Sequence, residues 1–143
     1  MNSTKSKEFR EKIRVLKRLL DVINHSADVG CCSISSSQCN ALVEIGRKES
    51  ITLKELASII MLDTSTTSRT VDSLVKKGLV NRTISVSDRR SIDITLTDSG
   101  HALFQNIESY MDSKFDTVLN NIEDNQQDTV LNSLDLILDA LKR

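Results

Sequence analysis

A chain of 143 residues fits one domain with room for a packed core. No apolar run approaches the roughly 18 residues that cross a bilayer, and three Phe, one Tyr and no Trp speak against stacking single-stranded bases on aromatic platforms. The net charge of −1 excludes a uniformly basic or acidic chain, but it hides an uneven distribution.

The first predicted element is a helix over residues 5–25. Phe9, Ile13, Leu16, Leu20 and Ile23 recur at helical spacing and form one continuous face, with Lys5, Lys7, Lys12, Lys17 and Arg18 mostly off it. This interleaving is not the unbroken apolar stretch of a signal peptide, so a cytoplasmic protein without a membrane partner is expected. Asp28 to Ser33 reads as a loop. Ser36 or Ser37 is the expected N-cap of a second helix, Gln38 to Arg47, with Ala41, Leu42 and Ile45 inward. Thr52 opens a third helix, with Glu55 three residues on in the capping-box pattern. Its core side is Leu53, Leu56, Ala57 and Ile60.

After a turn around Leu62 to Thr64 comes a fourth helix, Ser65 to Lys77, with Val71, Leu74 and Val75 facing the core. Gly78 is its expected stop. Val80 to Val86 and Ser91 to Leu96 alternate apolar and polar residues, the period of half-buried strands, around the charged loop Ser87-Asp88-Arg89-Arg90. Thr97 to Gly100 opens a fifth helix that runs to about Asn121. Glu123 to Lys142 forms a sixth, with Val130, Leu134, Ile137, Leu138 and Leu141 on one side. The fold class is mainly α with a small β-hairpin wing, a winged helix-turn-helix with six helices. No linker divides it, so residues 1–143 read as a single domain.

Charge follows this order. Residues 64–90 hold six Lys or Arg against two Asp, net +4, whereas residues 98–143 hold three against nine, net −6. Phosphate attraction decays within about 8–10 Å, so the local value governs. In a helix-turn-helix the second helix enters the major groove and touches base edges with its N-terminal residues. Ser65, Thr66, Thr67, Ser68, Arg69 and Thr70 are the short polar readers that this approach needs, with Arg69 suited to guanine. The free N–H groups of the helix N-terminus would point toward phosphate. Lys76 and Lys77 could reach the backbone. A Ser/Thr-rich first turn is also simply good capping chemistry.

The run TLKELASIIMLDTSTTSRTVDSLVKKGLVNRTISVSDRRSIDITLTDSG, Thr52 to Gly100, resembles the MarR family of transcriptional regulators. Its shared elements are the L-A before the turn, the S/T-rich recognition helix, L-x-x-x-G-L-V-x-R, the D-x-R wing and L-T-x-x-G. The resemblance implies a homodimer on palindromic double-stranded DNA, in which the first, fifth and sixth helices interlock. It implies that Arg90 enters the minor groove with Asp88 orienting it, that Arg89 contacts phosphate, and that Arg82 supports the wing or reaches the backbone. Residues 36–100 would be the DNA-binding lobe, and 1–28 and 101–143 the dimerisation helices. The apolar faces of those terminal helices make the dimer expectation independently, since each needs a partner.

Cys31, Cys32 and Cys39 lie within nine residues and are the candidate sensor. Cys39, near a helix N-terminus, would have a favoured thiolate. A thiophilic ion or metalloid, an oxidant, an ordinary ligand pocket nearby, or plain packing of Cys39 all remain open. The spacing matches no C-x-x-C pair, and His25 is too generic to complete a metal site, so no metal or cofactor is expected. No phosphate loop, H-E-x-x-H or nucleophile–base pair points to an enzyme; His25 and His101 are far apart. The expected function is a sequence-specific regulator, a repressor released by a small-molecule or thiol-reactive effector. The alternative is a winged-helix interaction protein that does not bind DNA.

Overall fold

The computed structural model describes residues 3–24 and 34–143. His25, Cys31, Cys32 and the expected loop Asp28 to Ser33 lie outside the described residues. Among the described residues six helices and three strands follow in the order α1 (Ser3–Asn24), α2 (Ser36–Lys48), β1 (Ser50–Thr52), α3 (Leu53–Ile60), α4 (Thr64–Lys76), β2 (Val80–Ile84), β3 (Ile92–Leu96), α5 (Asp98–Asn120) and α6 (Asp124–Leu141). The chain divides into two compact units, Met1–Ser109 and Tyr110–Arg143, with the boundary inside α5.

In the first unit, α2, α3 and α4 close over one face of an antiparallel sheet ordered β1-β3-β2. Ile94 on the central strand pairs with Ile51 of β1 and Arg82 of β2. Ile94 is buried with Ala41, Leu42 and Ile45 of α2, Leu56 and Ala57 of α3, and Val71 and Leu74 of α4. Ile51, Val80, Leu96 and Ile107 complete the apolar core. These positions recur at three and four along the helices and at two along β3, which is why local periodicity reveals most of them.

The expectations need four corrections. The cap of α2 is Ser35, not Ser36 or Ser37. Its hydroxyl accepts from the Gln38 N–H, and the Gln38 side chain accepts from the Ser35 N–H, a closed capping box. A third strand, β1, joins the hairpin; three residues that lead straight into a helix cap are too few to show a period. The wing strand β2 ends at Ile84, and Ile84 and Val86 are exposed, because the helices cover only the base of the hairpin. Val75, one position beyond the buried stripe of Val71 and Leu74, is also exposed.

The start of α5 is tied to the base of the wing. Thr97 donates from its N–H to Leu79 O and from its hydroxyl to Gly78 O, 2.7 Å, while accepting from the Gly100 N–H. A Cβ on Gly100 would stand 2.0 Å from the Leu79 carbonyl oxygen, so only glycine fits.

The second unit is the end of α5 and all of α6. The Gln127 amide donates to Leu119 O and Ile122 O, holding the corner between the two helices. No residue of α6 is buried. None of the described helices is long and apolar enough to cross a membrane.

Candidate nucleic-acid interface

Helix α4 begins at Asp63, whose carboxylate accepts from the Thr66 N–H. Hydrogen bonding from the Thr66 side chain, then from its backbone, with the Arg69 guanidinium close by, holds the Asp63 carboxyl below its ordinary value against desolvation, which raises it. Of the N–H groups at this helix end, the Asp63 carboxylate takes that of Thr66.

The six expected readers divide by helical phase. Ser65 and Arg69 are exposed, and Thr66, Ser68 and Thr70 are half-buried. Arg69 Nη2 donates to Thr66 Oγ1 at 3.2 Å, so these two side chains form a joined polar patch on the outer face. Thr70 turns its hydroxyl back to the Thr66 carbonyl. Thr67 does not belong to the surface at all. It is 0% exposed, in line with Val71 and Leu74, and its hydroxyl donates to Asp63 O at 2.8 Å. Positions four and seven residues before a buried stripe's members share its face, whatever their polarity.

At its other end α4 stops in a left-handed glycine. Gly78 has φ +74°, its N–H donates to Val75 O, and the Leu79 N–H donates to Leu74 O, a Schellman motif. Lys76 is exposed beside it. Lys77 reaches back to Gln38 Oε1 at 2.9 Å, and Gln38 Nε2 donates to Ser73 Oγ at 2.8 Å. Gln38 thus joins the first turn of α2 to the last two turns of α4. The S-x-x-Q spacing from Ser35 was its only sequence signal.

Arg82 is directed inward. Its Nη1 donates to the Asp72 carboxylate and to Ser68 Oγ, 3.3 Å, both on α4. Nη1 of the guanidinium is thus taken up by two acceptors on α4. Asp72, unremarked in the sequence, lies ten residues away, beyond any local pattern.

The wing tip is a short closed loop. The Ser85 N–H donates to Ser91 O and the Ser91 N–H to Asp88 O. This i to i+3 turn puts Arg89 and Arg90 at its two central positions, both exposed. Asp88 Oδ1 accepts from the Arg90 backbone N–H at 2.9 Å. The carboxylate shapes the corner that carries Arg90; its contact is with the main chain. Cys39 is half-buried in the first turn of α2. Among the described residues no three metal-ligating side chains gather.

An exposed polar face on α4, a Schellman stop, a wing closed by D-x-R and an α5 start locked by L-T-x-x-G make one module. Residues 34–92 match the family model described as MarR family. Over these residues the chain is similar to the MarR family. It is 31% identical over 93 residues to the HTH-type transcriptional regulator SarZ of Staphylococcus haemolyticus, covering 65% of this chain and 62% of that protein. The chain spans between 48% and 62% of the length of the curated relatives it matches. Among solved structures, a MarR family protein from Bacillus stearothermophilus superposes with a TM-score of 0.86 at 20% identity, over 100% of this chain and 99% of that one. Streptococcus pneumoniae FabT, solved in complex with DNA, superposes with a TM-score of 0.77 at 17% identity, over 99% and 98%. The fold of this chain is thus found in proteins of much lower sequence identity.

Proposed function

We propose that this protein is a homodimeric transcriptional regulator that binds a palindromic site in double-stranded DNA, acting in the cytoplasm as a repressor. One observation carries the reading: an exposed polar helix face and a two-arginine loop project from one packed frame, in a stretch with a net charge of +4 over residues 64–90. The likeness of fold to FabT, whose structure contains DNA, supports it.

Ser65, Thr66 and Arg69 face the major groove, with Arg69 the longest reader. Thr67 is left out of that set by its burial, and Ser68 and Thr70 are restricted by their own hydrogen bonds. Arg90 enters the minor groove, where the degenerate donor pattern makes it a source of affinity and A·T preference. Arg89 and Lys76 contact phosphate. Residues 36–100 form the reading lobe, and 1–28 and 101–143 supply the dimer contacts. Release follows a small-molecule or thiol-reactive signal. Among the described residues Cys39 is the thiol placed to receive it, next to Gln38, which is bonded to α4.

The test is a gel shift with duplex fragments from upstream of the protein's own gene, titrated with salt. Wild type should retain a fragment, and affinity should fall steeply with salt because several phosphates are neutralised per dimer. Arg69→Ala should weaken binding by about 1–3 kcal/mol and relax one base position. Arg90→Ala should weaken it on all A·T-flanked sites. Retention of no duplex, or indifference to both substitutions, refutes the reading.

A further inference from the structure

Only Lys77, Gly78 and Leu79 separate the end of α4 from the start of β2, and Gly78 sits at φ +74°. Pairing of β3 with β1 and burial of Val80, Ile94 and Leu96 hold the base of the hairpin, so its tilt against α4 depends on what reaches across farther along β2. Ile84 and Val86 do not, since both are exposed. Arg82, in the middle of β2, does reach across. Its side chain is 23% exposed, and its Nη1 bonds Asp72 and Ser68, which stand one turn apart on the same face of α4.

We infer that the Arg82–Asp72 pair is a clamp that sets the angle between the recognition helix and the wing, making Arg82 a positioning residue for DNA binding. The inference rests on the regulator reading above. Two consequences of the geometry support it. An acidic side chain on a groove-facing helix repels phosphate, and Asp72, 54% exposed, is neutralised by its arginine partner. The same guanidinium engages the Ser68 hydroxyl, which leaves base reading to Ser65, Thr66 and Arg69. Both bonds leave from one nitrogen, Nη1, whose two N–H groups are fixed in the guanidinium plane at the end of a side chain one bond longer than lysine's, so a lysine ammonium falls short of that point and does not hold the two directions.

The experiment compares wild type, Asp72→Ala, Arg82→Gln and Arg82→Lys in two measurements. The first is duplex affinity as a function of salt. The second is amide hydrogen exchange of β2 and β3 in the free protein. A clamp predicts that all three variants bind about tenfold more weakly, the loss of a charged hydrogen bond, with the salt slope unchanged and exchange in the wing accelerated. The sign of the Asp72→Ala effect is decisive, because removing a negative charge near phosphate should otherwise tighten binding. If Arg82 held phosphate instead, Asp72→Ala would bind as well as wild type or better, Arg82→Lys would be nearly silent, and Arg82→Gln would flatten the slope by about 0.9 per subunit. Any of those results overturns the clamp. Should wild type itself retain no duplex, the regulator reading fails, and unaltered wing exchange in the variants still refutes the clamp on its own.

Discussion

Asp63 shows how one residue can organise several neighbouring side chains. It caps α4 through the Thr66 N–H, accepts the Thr67 N–H and hydroxyl at its own carbonyl, and lies near Arg69. Its carboxyl is held below the usual value by Thr66 first and Arg69 after. The folded state therefore favours the charged form. The stabilisation is fully present above the ordinary carboxylate range and is lost as pH falls through the lowered folded value. Asp63→Ala should melt at a lower temperature than wild type at neutral pH, and the gap should narrow on acidification below about pH 4. Thermal unfolding by circular dichroism at both pH values checks this; a gap of constant size would mean that the charged carboxylate contributes nothing to the cap. The cap itself follows from local chemistry, Asp before a helix. The burial of Thr67 also had a sequence signal in its spacing from Val71 and Leu74. A threonine in a Ser/Thr-rich turn is equally suited to the surface, which masks that signal.

Among the elements, the hairpin and the helix before it depend on the start of α5. Thr97 binds the Gly78 and Leu79 carbonyls, and Gly100 passes within reach of Leu79 O. Gly100→Ala forces either α5 or the base of β2 to move, so stability should drop by about 1–3 kcal/mol. Chemical denaturation measures it, and an unchanged midpoint would show that the junction is loose. A weaker parallel exists at Gly46, where a Cβ would meet the flexible-edged Phe104 ring at 2.6 Å instead of backbone. The six helices and the hairpin were legible because each has a period among residues a few positions apart, and α2, α3, α4 and α5 also carry a side-chain cap. Strand β1 and the exposed end of β2 were not, since a three-residue strand has no period and alternation records which residues could share a face, not whether anything covers it.

For the molecule as a whole, the proposed dimer would give the exposed apolar side chains a partner. In the first unit α1 exposes Phe9, Leu16, Leu19 and Val22; in the second, α6 exposes Leu131, Leu134, Leu138 and Leu141. Faces of this kind left open to water are rare on a protein that acts alone. The protein should sediment at twice the chain mass. Leu134→Asp with Leu138→Asp should yield single chains that lose operator binding, because each half-site contact alone is weak. A wild-type protein that sediments as one chain at micromolar concentration would remove the dimer from the proposed function.

Helix positions, the apolar stripes, the two arginines at the wing tip and the family likeness all arise from neighbours a few residues apart, so the order of amino acids alone discloses them. The inward turn of Arg82 toward Asp72, the link from Gln38 to Ser73 and Lys77, and the tight passage of Gly100 past Leu79 join residues 10 to 39 positions apart. Those contacts exist only once the chain has folded. They determine which cationic side chains face outward to meet a partner and which are occupied in holding the frame, because a charge already hydrogen-bonded inside the fold is not available to phosphate.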